Sequence, residues 1–121
     1  YERDNDVSEW YTGDFPEDGS PVPHGKGKLT IYDEDYFINE YIGEFKYGSK
    51  HGKGQSSVES GATFIGTWED DKKHGEFANF DHEGKLRLVR FNKGKYVEDI
   101  HPNELKSLWL KNEILKRKFT N

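Results

Sequence analysis

The chain has 121 residues, 31% of them apolar and 34% charged, with a net charge of −5. That length sets one domain as the expectation. So few apolar residues exclude a thick globular core, yet an aromatic share of 15% is too high for a disordered chain. There is no cysteine, which excludes disulfides and thiolate metal sites and fits an intracellular, cytoplasmic home.

Residues 1–9 are polar and charged and read as a frayed lead-in. Trp10 to Phe15 read as the first strand. The stretch 16–23, PEDGSPVP, is a turn, because its prolines and glycine cannot continue a ladder. Residues 25–32 return, with Leu29 and Ile31 on one side. The segment 33–39, DEDYFIN, lengthens the next connection.

In the stretch 41–54, YIGEFKYGSKHGKG, Tyr41, Gly43 and Phe45 recur at period 2 and share one face of a strand. Gly48 suits a hairpin turn at positive φ. Residues 53–59 return, and Gly61 turns again, as does its equivalent Gly84. The pattern comes back 23 residues later as Phe64, Gly66, Trp68, then His74-Gly75. It also stands earlier as Tyr11, Gly13, Phe15, then His24-Gly25-Lys26-Gly27. Phe77 replaces the second glycine of the third copy, which reads as a variant. A fourth copy keeps only Phe91 and Gly94, with Arg87 and Val89 where an aromatic and a glycine would stand, as in a terminal capping repeat.

Residues 101–118 change character. Pro102 opens a helix. Leu105, Leu108, Trp109, Leu115 and Phe119 fall on one face, with Leu110 and Ile114 roughly opposite. One stripe is expected to pack on the sheet, capping its last hairpin, and the Leu110/Ile114 stripe to face a partner. The chain thus divides into a lead-in (1–9), a repeat sheet (10–100) and an amphipathic helix (101–121). The repeats fall near 11–40, 41–63 and 64–86, with a partial one at 87–100.

The pattern Tyr-x-Gly-x-Phe/Trp, turn, His-Gly-x-Gly resembles the MORN repeat (membrane occupation and recognition nexus), over residues 10–94. The resemblance implies a mainly β fold, an elongated single-sheet meander of β-hairpins, here with a C-terminal α-helix. Tyr11, Tyr41 and Phe64 are expected in one row and Phe15, Phe45 and Trp68 in another. Each ring would bury on the order of 150–250 Å². Gly13, Gly43 and Gly66 leave room for those rings, and Gly25, Gly52 and Gly75 mark the repeat turns.

Other readings of these residues fail. His24, His51 and His74 hold equivalent positions, but successive hairpins lie roughly 9–10 Å apart, too far for three ligands on one zinc. They are expected to bond turn backbone, with no metal. The run 43–50, GEFKYGSK, has Ser and Lys swapped relative to a phosphate-binding loop, and no helix follows it. Asp33-Glu34-Asp35 lacks calcium-loop spacing. No nucleophile, base and orienter form a set, so no enzyme and no cofactor are expected.

The first 40 residues carry eleven acids and three bases (−8), the remainder twelve and fifteen (+3). The acidic third argues against nucleic acid. Family resemblance implies a scaffold that binds a protein partner, a helix or an extended peptide, in cytoskeletal or membrane-associated complexes. The binding surfaces would be an aromatic groove (Tyr11, Phe15, Tyr41, Phe45, Phe64, Trp68) and the helix (Trp109, Leu110, Ile114). The alternative is a phospholipid surface held by Lys111, Lys116, Arg117 and Lys118. Open edges also permit a homo-oligomer. No apolar run approaches the roughly 18 residues of a membrane span, and these residues show no signal-peptide pattern. The absence of Met and a start at Tyr1 point to a piece of a longer protein.

Overall fold

Tight turns set the register. Tyr47-Gly48, Asp70-Asp71 and Lys93-Gly94 all hold both residues at positive φ. That is the turn whose twist matches the twist of the strands it joins. The computed structural model describes residues 7–34 and 36–119, with side chains to Arg117. Its strands are β1 (Val7–Gly13), β2 (Gly25–Asp33), β3 (Tyr36–Lys46), β4 (Ser49–Val58), β5 (Thr63–Glu69), β6 (Lys72–Phe80), β7 (Leu86–Asn92) and β8 (Lys95–Asp99). They form one open antiparallel sheet in sequence order, with an α-helix, α1 (Leu108–Phe119), after it.

The His-Gly-x segment is a repeated bulge. Gly43 pairs with Gly54 and Phe45 with Lys50, so Glu44 alone opposes His51, Gly52 and Lys53. Gly52 takes φ 97°, which a residue with a Cβ adopts only under strain. The Glu44 carboxylate fills the bulge by accepting from the Lys53 N–H at 2.6 Å. Asp14 does the same for Lys26, at 3.1 Å. In the third repeat, Thr67 Oγ1 donates to the His74 carbonyl instead.

Adjacent hairpins are stitched at their turns. The N–H groups of Gly48, Asp71 and Gly94 donate to the carbonyls of Pro23, Lys50 and Lys73. The Asp71 carboxylate also accepts from the Lys50 N–H at 2.7 Å.

Three local expectations need correction. The first strand starts at Val7, inside the supposed lead-in, and ends at Gly13, so Phe15 lies beyond it. Residues 1–6 of that lead-in fall outside the described residues. The segment 33–39 does not form a long connection: β2 and β3 lengthen through it with a bulge at Ile31/Tyr32. Asp35 of the acidic run is outside the description.

The helix does not start at Pro102. Pro102–Glu104 form one 3₁₀ turn, with His101 and Glu104 capping each other's backbone. Ser107 then caps α1, its Oγ accepting from the Leu110 N–H at 3.1 Å. Serine is among the preferred residues there. Starting six residues late, α1 no longer shares a phase with Leu105.

Strand alternation gives the sheet two sides. Gly66, Phe77 and Val89 are cross-strand neighbours on one side, the ring side. Ile65, Ala78 and Leu88 are neighbours on the other, the helix side. Helix α1 rests on β5 and β6, where Leu110, Ile114 and Leu105 join Ile65, Phe80 and Leu88 in a core. It therefore sits on the face of the sheet and does not cap the last edge. The outer strand β8 is exposed along its length.

Candidate partner-binding face

One aromatic row runs along the ring side. Phe15 meets Tyr11 (5.3 Å between centroids), Tyr11 meets Phe45 (5.4 Å), and Phe45 meets Tyr41 (5.1 Å). Tyr41 meets Trp68 (5.0 Å), Trp68 meets Phe77 (4.9 Å), and Phe77 meets Phe91 (5.3 Å). Every step is edge-to-face, with planes 74° to 87° apart. That geometry brings a ring's positive edge to its neighbour's negative face.

Glycines make the row possible. Tyr41 lies on Gly54, where an added Cβ would meet ring atoms at 2.5 Å and run into the hydroxyl. Tyr11 lies on Gly27 in the same way. Their hydroxyls donate to the carbonyls of Glu44 (2.8 Å) and Asp14 (2.5 Å), beside the bulge. Burial, and then the Glu44 carboxylate, hold the Tyr41 phenol well above its ordinary value. Burial and Asp14 raise that of Tyr11 as well.

The two expected rows are thus one. Phe64 is absent from it, and Phe77, read as a variant position, stands in its place. Phe77 comes from the opposite strand and covers Gly66, where an added Cβ would meet its ring at 2.6 Å. The third repeat has exchanged ring and glycine across the same pair of strands.

Burial corrects the groove residues. Tyr41, Phe45 and Trp68 are 1–5% exposed and form a core with Phe77 and Val89, so they offer no surface to a partner. Half-buried Tyr11, Phe64 and Phe91 rim that core, and Phe15 at 55% and Tyr47 at 56% stand open at one end. The helix residues need the same correction. Leu110 and Ile114, expected to face a partner, are buried against the sheet. Leu108 and Leu115 are the exposed ones, and half-buried Trp109 lines a shallow groove with Ile42, Gln55 and Glu113.

Two of the three repeat histidines bond turn backbone as expected, and His51 does not. His24 Nδ1 accepts from the Tyr47 N–H at 3.0 Å, and His74 Nδ1 from the Lys93 N–H at 3.1 Å. Each bond ties a hairpin to the next turn. Among the described residues His51 Nδ1 has no partner, and Asp71 ties that junction through Lys50 instead. Among the described residues, no three His, Cys, Asp or Glu side chains converge as metal ligands. Likewise, no described helix is long and apolar enough to cross a membrane.

Two lysines went unread in the sequence. Lys50 pairs with Phe45 and Lys73 with Trp68, so both stand on the ring side. Lys50 Nζ lies 5.5 Å from the Tyr41 centroid. Lys73 Nζ lies 3.7 Å from that of Phe64, 5.0 Å from Phe91 and 5.9 Å from Phe77. Burial, and then the Lys50 charge, push the Lys73 ammonium below the ordinary lysine value. The signal was available: Lys50 and Lys73 are themselves equivalent positions, 23 residues apart.

A family model for the MORN repeat matches residues 22–36, 41–57 and 64–76. No curated protein matches the chain. MORN repeats are protein- or membrane-binding repeat modules and are not themselves catalytic.

Proposed function

Starting from a chain that carries MORN repeats at three places, we propose that it is a non-enzymatic scaffold module that holds a partner protein against the ring side of its sheet. The observation behind this reading is the unbroken ring row on the side that α1 leaves free. A pre-packed aromatic base costs little side-chain entropy when a partner docks. Its accessible rim, Phe15, Tyr11, Phe64 and Phe91, supplies the aromatic anchors that dominate interfaces. The partner segment is a helix or an extended peptide lying across the strands, inside the cell.

The test is affinity capture from native lysate, followed by binding of the captured protein in purified form. The wild-type chain is compared with Phe15→Ala/Phe64→Ala and with Leu108→Asp/Leu115→Asp. A protein bound by the wild type and the helix variant, and lost by the rim variant, supports the reading. A protein lost only by the helix variant overturns it. Binding to phosphatidylserine vesicles with no protein partner also overturns it.

A further inference from the structure

Lys50 and Lys73 pose a problem that the isolated chain does not solve. Both ammonium groups stand over ring faces. They are close enough for Lys50 to act on Lys73 as a like charge. Neither has a carboxylate within salt-bridge distance among the described residues, although Lys28, Arg87, Arg90 and Lys116 all do. A half-buried charge without a counter-ion, facing another of the same sign, is unfavourable. An anion bound between the two would relieve it.

The surroundings narrow the chemistry of that anion. Phe64 and Phe91 flank Lys73 and are half-buried, so a ligand reaching the ammonium groups also lies against apolar ring surface. An acidic side chain with an apolar neighbour in the same segment satisfies both. A membrane surface fits less well. It is felt by the whole molecule, whose net charge is −5 and whose first 40 residues carry −8. Attraction to such a surface leans on clusters of basic residues, whereas one carboxylate is sensed only locally, within about 10 Å at ordinary salt.

We propose that Lys50 and Lys73 form a carboxylate seat on the ring side, and that the partner segment presents an Asp or Glu next to an apolar residue that packs on Phe64 and Phe91. This rests on the ring side being the docking face.

The probe is a phage-displayed random 12-residue peptide library selected against the whole chain. Recovered peptides are resynthesised with a fluorophore and measured by anisotropy against the wild type, Lys50→Gln/Lys73→Gln, Lys73→Arg and Phe15→Ala/Phe64→Ala. Thermal melts confirm that all variants fold. The expected peptides carry Asp or Glu beside an apolar residue. They weaken about 10- to 50-fold in the double glutamine variant, as fits the loss of two charge-assisted contacts, and stay within about threefold in Lys73→Arg. Neutralising the peptide's acid should cost the same factor in the wild type and almost nothing in the double variant.

Peptides that need Phe15 and Phe64 but show no acidic preference, and bind the double variant unchanged, overturn the carboxylate seat and leave the docking face standing. Peptides indifferent to Phe15 and Phe64 overturn both. Binding to phosphatidylserine vesicles that is lost in the double variant, with no acidic peptide recovered, assigns the lysines to lipid and overturns the peptide seat.

Discussion

At the scale of single residues, the third repeat shows how a ring and a glycine trade places. Tyr41 covers Gly54 from β3, whereas Phe77 covers Gly66 from β6, and both fill the same slot in the row. Phe77→Gly empties that slot and should cost about 3–5 kcal/mol, the usual loss for a buried phenylalanine. The double change Phe64→Tyr/Phe77→Gly restores the second repeat's arrangement, with a tyrosine over the residue 77 backbone and its hydroxyl beside the Thr67 carbonyl. It should recover about 1–2 kcal/mol of the loss, a coupling expected of residues packed in one core. Urea unfolding of the wild type, the single and the double variants measures this, and a double variant no more stable than Phe77→Gly would refute the exchange. In the sequence, Phe77 stood as a variant of the second glycine, with no role assigned to its ring. The reading compared only equivalent positions along the chain, while the exchange runs across a strand pair, between partners that the bulge at His74–Glu76 places side by side. Packing of the rings was legible, but not that Tyr41, Phe45 and Trp68 are covered almost completely: period 2 assigns a face but not the depth to which neighbouring rings cover it.

At the scale of elements, the sheet was legible and the helix only partly so. Aromatic-glycine strands and paired turn residues carry the hairpins, and positive φ at Gly48 and Asp70-Asp71 follows from local chemistry, whereas Tyr47 takes it because the two-residue turn requires it. The position of α1 depends instead on a contact from distant sequence. The Glu76 carboxylate, on β6, accepts from the backbone N–H groups of Lys106 (3.1 and 3.0 Å) and Ser107 (2.8 Å). It fastens the start of α1 to the helix side of the sheet, and Ser107 caps the first turn. Reading the helix from Pro102 put Leu105 in phase with Leu108 and turned the apolar stripes the wrong way out. With the start at Leu108, Leu110 and Ile114 go inward. Glu76→Ala should cost about 1.5–3 kcal/mol, the range for bonds to a charged acceptor. Amide exchange in α1 should quicken well before exchange in β5 and β6. Equal protection of α1 in wild type and variant would contradict that role.

At the scale of the whole molecule, each hairpin bonds only its neighbours, so the chain is a short one-dimensional array. The ring row gives such an array a continuous core that no single hairpin could bury. Helix α1 thickens the C-terminal half from the other side, so one side is taken up by packing under the helix and the ring side, the face proposed for docking, is left uncovered by it. The sequence carried the repeat and therefore the row, but not which side stays open, because that depends on where a segment outside the repeat comes to rest. The most direct test of this division is chemical-shift mapping of the isotope-labelled chain saturated with its captured partner segment. The account predicts the largest shifts at Tyr11, Phe15, Phe64, Phe91 and the Lys50 and Lys73 side chains, with Trp10, Ile42, Trp109 and Leu115 unmoved. Shifts concentrated on those last four would place docking on the helix side and contradict it.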